Sequence, residues 1–169
     1  MTEIIDQSMI SKFVGTCLCR INNDDTAFRA AMTRADNPAT ESQSWRYLVP
    51  FCNLELDIER GAFALVGAAI AREKPEANGK RSLGLALRSA KNDPDDDSID
   101  RKVQRLLACS NRSELIPVLR PILRFLNKQE NTNIDYIALL RDIISFSEKT
   151  KLRWAKQYYK YQEEQNECT

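Results

Sequence analysis

The 169-residue sequence contains no histidine. This absence excludes histidine-assisted catalytic triads, the HExxH metalloproteases and zinc sites with histidine ligands. It also removes the side chain that most often transfers protons near neutral pH. Glycine (5 residues) and proline (6 residues) are scarce, which argues against a loop-rich sandwich or barrel. Because 43% of the residues are hydrophobic and 29% are charged, we expect a soluble protein with a hydrophobic core.

Long hydrophobic runs are also missing. The longest, residues 61–71, has 11 residues, whereas a membrane span needs about 20. The polar N-terminus is unlike a secretory signal, so a cytoplasmic location is expected. The cysteines are odd in number and fit reduced thiols. Cys17 and Cys19 have neither a second close cysteine pair nor a histidine to complete a metal site, so no metal is predicted there.

The apolar residues follow helical spacing along nearly the whole chain. In the first segment, for example, Met9, Phe13 and Cys17 recur every four residues. Residues 92–97 combine a proline with four aspartates and have no apolar side chain, which is typical of a linker. The sequence therefore predicts an all-α fold of two small helical bundles joined by a short acidic linker. The N-terminal bundle covers residues 1–92, and a C-terminal four-helix bundle covers residues 98–169.

Polar residues ahead of the apolar segments predict where helices begin. Ser, Thr, Asp and Asn are favoured at the N-cap because their side chains accept a free backbone N–H. Pro117 can occupy a first helical turn, but Pro121 lies deeper and is expected to kink the helix or start a new one. The predicted caps are Asp24 or Asp25, Thr40, Ser82, Ser98, Ser113, Asn133 and Thr150.

Two segments faintly match ligand-binding loops and fail on spacing. Residues 79–82 read Gly-Lys-Arg-Ser, but the earlier glycine of a phosphate-binding loop is replaced by Lys74. Residues 93–97 alternate acids as a calcium loop does, yet Ser98 and Gln104 stand where glycine and glutamate are required. No pair of carboxylates is singled out as catalytic. We therefore expect no nucleotide, metal or other cofactor, and no enzymatic activity.

The net charge is only +1, but the basic residues are unevenly distributed. At 100° per residue they form stripes that face away from the leucine side of three helices. Such stripes can follow a sugar–phosphate backbone without reading bases. Solvated helix faces are the alternative interpretation. The stripes comprise Arg101 and Arg105, with Arg112 if the helix extends that far; Arg120, Arg124 and Lys128; and Lys149, Arg153, Lys156 and Lys160.

Aromatic residues near the C-terminus allow two interpretations. Trp154, Tyr158, Tyr159 and Tyr161 can stack on bases. Helical aromatics more often belong to a core or a domain contact, and we expect that of Trp154 and Tyr159.

The sequence resembles the CasB family because it contains five motifs in the order in which that family has them. CasB is the small subunit of the type I-E CRISPR surveillance complex Cascade. The resemblance covers about residues 5–160. Each motif alone is weak, because helical proteins produce such strings by chance, and the ordered set carries the resemblance. The motifs are Phe-Arg-Ala-Ala (28–31), Trp-Arg-Tyr-Leu-Val-Pro-Phe (45–51), Ser-Leu-Gly-Leu-Ala-Leu (82–87), residues 101–107, and Lys-Leu-Arg-Trp-Ala-Lys-Gln-Tyr-Tyr (151–159).

The resemblance implies a non-catalytic subunit present as two head-to-tail copies. Its partners would be the Cas7-type backbone, the large subunit and the second copy of itself. It would bind the guide RNA, the target strand and the displaced non-target strand, and so stabilise the R-loop, whose formation is nearly balanced in energy. The implied phosphate contacts are Arg29, Arg46, Lys80, Arg81, Arg101, Lys102, Arg105, Lys149, Lys151 and Arg153, to which the second stripe adds Arg120.

Three alternatives stay open. Arg46 can pair with a buried acid instead of a phosphate. The whole chain can be a helical adaptor that binds only protein, with solvated basic faces. A helical enzyme that uses carboxylates alone is the third.

Overall fold

The computed structural model describes residues 5–166, with side chains described as far as Lys160. An isolated bridge joins Arg81 and Ile134, and no strand occurs in this part of the chain, so the predicted all-α class is confirmed. A 3-10 helix covers Glu41–Ser44. The α-helices are α1 (Gln7–Asn22), α2 (Thr26–Thr33), α3 (Trp45–Leu48), α4 (Asp57–Glu73), α5 (Leu83–Ala90), α6 (Ser98–Leu107), α7 (Arg112–Leu126), α8 (Tyr136–Ile144) and α9 (Glu148–Asn166).

Helix α4 forms the centre of the fold. Every residue from Ala62 to Ala71 is buried, as expected for a helix that is apolar on all sides. Small residues let its neighbours approach closely: a Cβ atom on Gly67 would lie 2.6 Å from the Met32 sulfur of α2. Helices α1, α2, α7 and α8 all pack against α4. The helix is therefore covered from both halves of the sequence.

The packing crosses the predicted domain boundary repeatedly. Besides the contacts of α4 with α7 and α8, α1 packs on α8 and α5 packs on α9. The buried residues form one cluster that includes both halves. The acidic segment 92–97 is nonetheless exposed, as a linker should be. The two-bundle arrangement is not confirmed by this packing, and the boundary stays a prediction.

Helix α7 runs through both of its prolines. Pro117 and Pro121 lie inside one continuous helix, so Pro121 does not begin a new one. Both side chains are exposed. Pro121 has no N–H, so one hydrogen bond of the helix is missing and the carbonyl one turn earlier is left without its partner. Because the proline faces solvent, water can satisfy that carbonyl.

The cysteines and carboxylates of the described chain do not gather into a metal site. Cys17, Cys19, Cys52 and Cys109 are free thiols, while Cys168 falls outside the described part. Among the side chains of residues 5–160 there is no group of three or more Cys, Asp or Glu placed to hold a metal ion. Nor does any helix there combine the length and the apolar character that a membrane crossing requires.

Replacing Gly15 by alanine is expected to stabilise the protein by about 0.5–1 kcal/mol. Gly15 lies inside α1 with no atom within 4 Å of the position its Cβ would occupy. Alanine therefore restricts the unfolded chain without any clash. Urea denaturation of Gly15→Ala checks this. Gly84→Ala is expected to lower the stability instead, since a Cβ there would lie 2.6 Å from the Trp154 carbonyl oxygen. A loss of stability in Gly15→Ala contradicts the prediction.

Candidate nucleic-acid interface

Helices α6 and α9 contact each other. Tyr158, in the middle of α9, donates a hydrogen bond of 2.6 Å to Asp100, early in α6. The first and third basic stripes therefore belong to neighbouring helices.

A partly buried hydrogen-bond network fixes this pair of helices. The second oxygen of Asp100 accepts from the Lys91 ammonium at 2.6 Å. Partial burial raises the pKa of Asp100, but the bonds from Lys91 and Tyr158 outweigh it, and the net pKa is lowered. Burial, reinforced by the bond to Asp100, raises the pKa of Tyr158. Both groups thus keep the protonation state that holds α9 against α6.

The outer face of α6 carries two arginines. Arg101 and Arg105 are exposed, and neither forms an ion pair within the described residues. Arg101 donates only to the Asp97 backbone oxygen, one turn earlier in the chain, at 3.3 Å. Lys102 points elsewhere: its ammonium lies 4.8 Å from the centre of the Phe125 ring on α7. Arg101 and Arg105 are therefore available to an external anion.

The outer face of α9 carries another row of cations. Lys149, Arg153, Lys156 and Lys160 are exposed at spacings of four, three and four residues. Arg153 also donates to Asp142 at 2.5 Å, yet its side chain remains 47% exposed. Lys151 differs, because it pairs with Glu148 at 3.0 Å and is largely covered. We call these two exposed rows together the α6–α9 basic face, which consists of Arg101, Arg105, Lys149, Arg153, Lys156 and Lys160.

A second basic patch lies on the N-terminal half. The Arg46 guanidinium sits 5.4 Å from the centre of the Tyr47 ring, and Arg20 approaches the same ring at the same distance. Arg46 has no ion pair with any residue that the structure describes, so pairing with a buried acid is not observed. Arg29 is exposed on α2 beside Phe28, which packs edge-on against Tyr47.

Sequence reasoning missed Arg20. It sits in the last turn of α1 and also pairs with Asp25 at 2.8 Å. The signal in the sequence was that Arg20 lies shortly before Asp25, the N-cap residue of the next helix, with which its charge can pair. Arg20, Arg29 and Arg46 are called the N-terminal patch below.

Two predicted residues adjoin the loop between α7 and α8. Arg81 donates from one guanidinium nitrogen to Ser89 at 2.8 Å and to the Asn131 carbonyl at 2.9 Å. Its backbone also bonds to Asn133 and Asp135. Arg81 therefore has a structural role in anchoring this loop. Lys80 is exposed, and its backbone N–H bonds to Asn133.

The second stripe, on α7, is partly engaged within the fold. Arg124 pairs at 3.1 Å with the buried Asp36, which Arg72 of α4 also approaches at 3.1 Å. One turn earlier, Arg120 is half-buried, and its Nε has no hydrogen-bond partner in the described part of the chain. Ile116, a further turn back, contacts α4 at Gly61. This side of α7 is thus partly engaged by α4 and Asp36, although the Arg124 side chain remains 48% exposed and Lys128 is exposed.

Comparison with known proteins gives consistent matches. The sequence model for "CRISPR-associated protein Cse2" matches residues 28–159. CasB from Thermus thermophilus is 26% identical with a TM-score of 0.69, and the match covers 89% of this chain and 97% of that one. A second solved structure from Thermus thermophilus, of a CRISPR-associated protein of the Cse2 family, has the same identity and coverage with a TM-score of 0.70.

A chain of a CRISPR RNA-guided surveillance complex shares the fold. Its TM-score is 0.75 at 20% identity, and the match covers 96% of this chain and 98% of that chain. No curated protein sequence matches.

Proposed function

The chain belongs to the CRISPR-associated Cse2 family, and from this premise we propose that it is the non-catalytic small subunit of a type I-E Cascade complex that binds nucleic-acid backbone. The observation that carries the proposal is the α6–α9 basic face. Six cations lie there on two helices that contact each other, and only Arg153 has a carboxylate partner among the described residues. Cations without internal partners gain most from phosphates, because binding releases the counterions of the nucleic acid.

Such a face suits a single strand or a duplex held by its backbone. Arginine binds phosphate through two parallel hydrogen bonds, and lysine adds a point charge. Because R-loop formation is nearly balanced in base-pair energy, a few backbone contacts are enough to favour the open state. We infer that the subunit holds the guide–target duplex and the displaced non-target strand, and thereby stabilises the R-loop.

The remaining parts of the proposal concern partners and chemistry. The partners are the Cas7-type backbone, the large subunit and a second copy of this chain, together with guide RNA and both DNA strands, in the cytoplasm. The absence of histidine from the sequence supports a subunit without catalysis.

A protein-binding adaptor is the second candidate, and one surface favours it. Trp45, Val49 and Leu56 are 38%, 59% and 48% exposed, and Trp45 and Val49 flank Arg46 of the N-terminal patch in sequence. Exposed apolar side chains in one region indicate a protein contact. In this interpretation the N-terminal half binds protein and the α6–α9 basic face is merely solvated.

A salt titration of the full chain with single-stranded DNA separates the two candidates. Backbone binding gives a linear fall of log affinity with log salt, with a slope of about −0.7 for each phosphate contacted. A strand covering most of the α6–α9 basic face should therefore give a slope of roughly −3 to −4. Fluorescence anisotropy measures this directly. An affinity that does not change with salt contradicts the proposed function.

A further inference from the structure

An open groove lies between α6 and α9, next to the α6–α9 basic face. It has a volume of about 570 Å³ and is lined by Asp97, Asp100, Arg101, Gln104 and Tyr159. The first four are spaced at i, i+3, i+4 and i+7, so they share one side of α6. The groove is large enough for a flat aromatic ligand.

One wall of the groove is an aromatic ring that the core does not use. Tyr159 is 37% exposed, whereas its neighbour Tyr158 is completely buried. The two rings meet edge to face at 5.0 Å, which fixes the orientation of Tyr159. A rigid, partly exposed ring beside cations is the arrangement on which nucleobases stack.

The other groove residues supply hydrogen-bonding groups of defined kind. The Asp97 carboxylate and the Gln104 amide have no side-chain hydrogen bond or ion pair within residues 5–160. Asp97 is the N-cap residue of α6, yet its side chain caps no backbone N–H. Asp100, in contrast, is already engaged by Lys91 and Tyr158. The free carboxylate of the groove is therefore that of Asp97.

We propose that the groove between α6 and α9 is a nucleobase pocket, in which Tyr159 stacks on one unpaired base of a strand carried by the α6–α9 basic face. Arg101 contacts the adjoining phosphate, and Asp97 accepts a hydrogen bond from the base edge. This inference rests on the proposed function, because the strand must first be bound through its backbone.

The lining chemistry also sets a preference among bases. A carboxylate accepts from the exocyclic amino group of cytosine, and a glutamine can pair with adenine. Thymine has no exocyclic amino group and offers only its ring N3–H, which lies between two carbonyl oxygens that repel the Asp97 carboxylate. Cytosine should therefore bind more tightly than thymine in an otherwise identical strand.

The test uses the full chain and three single strands of equal length and charge: oligodeoxycytidylate, oligothymidylate and an abasic strand. Fluorescence anisotropy should show that Tyr159→Ala weakens the oligodeoxycytidylate complex about tenfold and leaves the abasic complex unchanged. Tyr159→Phe keeps the ring and should bind as the unmodified chain does. Leu152→Ala, exposed on the same helix, is the matched control and should bind likewise.

The Asp97→Ala variant tests base selection separately. Loss of a negative charge strengthens all three complexes, so the relevant quantity is the ratio of cytidylate to thymidylate affinity. That ratio should exceed one in the unmodified chain and fall to about one in Asp97→Ala.

The outcomes distinguish this inference from the proposed function. If all three strands bind with the expected salt dependence but Tyr159→Ala changes none of them, or weakens the abasic strand equally, the pocket is wrong and backbone binding stands. If no strand binds in a salt-dependent way, the proposed function fails and the pocket fails with it. A third result also overturns the pocket. In it, an oligoarginine peptide binds the unmodified chain but not Asp97→Ala, while the affinity for oligodeoxycytidylate is the same in both. The groove would then bind a cationic side chain of a protein partner.

Discussion

Reversing two charges on α6, with Arg101→Glu and Arg105→Glu together, is expected to weaken target-DNA binding by the assembled complex about tenfold or more. Both side chains are exposed and have no carboxylate partner in the described part of the chain, so the substitutions remove no ion pair seen there. Each lost phosphate contact should reduce the magnitude of the slope of log affinity against log salt concentration by about 0.7 for a single strand or 0.9 for a duplex. Gel-shift or anisotropy titrations at several salt concentrations measure both quantities.

A matched control separates local contact from overall charge. Lys12→Glu with Lys74→Glu changes the net charge by the same amount at two exposed positions, on α1 and just after α4, outside the predicted set. This control should leave target-DNA affinity within about twofold, because neither residue lies on α6 or α9 and a charge that contacts no phosphate is partly screened at ordinary salt. Equal losses in both double variants would mean that DNA responds only to total charge.

The same experiment decides between strand binding and the adaptor alternative. An adaptor positions other subunits through protein contacts, so charge reversal on a solvated face should leave target affinity unchanged once the complex has assembled. Assembly itself must therefore be measured, by co-purification of the variant with the other subunits and guide RNA. Full assembly with full DNA affinity would favour the adaptor.

Helical periodicity alone was enough to predict which cations are exposed on α6 and α9. A residue step of 100° puts Arg101 and Arg105 within 40° of each other, and both are indeed exposed on α6. The same rule gave the exposed row of α9. Periodicity cannot say which helices are neighbours, because that depends on tertiary contacts such as Tyr158 with Asp100, 58 residues apart in sequence. The groove between α6 and α9 was therefore not predictable.

The sequence could not show which arginines are engaged by partners that lie far away in the chain. Arg81 and Arg124 look like surface cations in the sequence, but Asn131 and Asp36 engage them across 50 and 88 residues. A buried carboxylate such as Asp36 must have a cationic or hydrogen-bonding partner. The sequence does not show that Asp36 is buried, and so it does not show that Arg124 has this role.

The rotation of α9 about its axis decides which tyrosine is buried. Tyr159 was expected in the core or in a domain contact and is 37% exposed, whereas its neighbour Tyr158 is buried. Adjacent helical residues differ by 100°, and α9 has too few apolar side chains to fix its rotation from periodicity. The buried side is instead defined by Trp154, which was correctly predicted as a core residue. The Tyr161 side chain lies outside the described residues.

Helix starts were predicted to within a few residues. Asp25 caps α2 as expected, accepting from the Phe28 N–H. Asn111 caps α7 two residues before the predicted Ser113, and Asp135 caps α8 two residues after the predicted Asn133. Several polar residues adjoin each of these starts, and all favour the same non-helical conformation before a helix. Choosing among them requires the backbone geometry.

Truncating the indole that anchors α9, with Trp154→Ala, is expected to lower the free energy of unfolding by about 3–5 kcal/mol. Trp154 is 1% exposed, and its ring packs against Phe146 with centroids 6.0 Å apart. Its Nε1 donates to the buried Asp142 at 3.1 Å. The substitution leaves a large cavity and removes one of the two side-chain donors of that carboxylate. Urea denaturation followed by far-ultraviolet circular dichroism measures the loss.

The other tryptophan provides the control. Trp45 is 38% exposed, with the Arg60 guanidinium 5.8 Å from its ring centre, so Trp45→Ala should cost less than about 1 kcal/mol. Trp154→Phe keeps most of the packing and loses only the N–H, which should cost about 1–3 kcal/mol because Asp142 then depends on Arg153 alone. Equal losses for Trp154→Ala and Trp45→Ala would contradict the packing of α9.

The stability of α9 matters for the site because four of the six cations of the α6–α9 basic face lie on this helix. Isolated helices are marginal in water, and α9, with few apolar residues, depends on tertiary packing to remain folded. Trp154 and Tyr158 supply that packing, and the bond from Arg153 to Asp142 ties one binding cation to the same anchor. A Trp154→Phe chain that stays folded should therefore keep its DNA affinity at low temperature and lose it at a lower temperature than the unmodified chain.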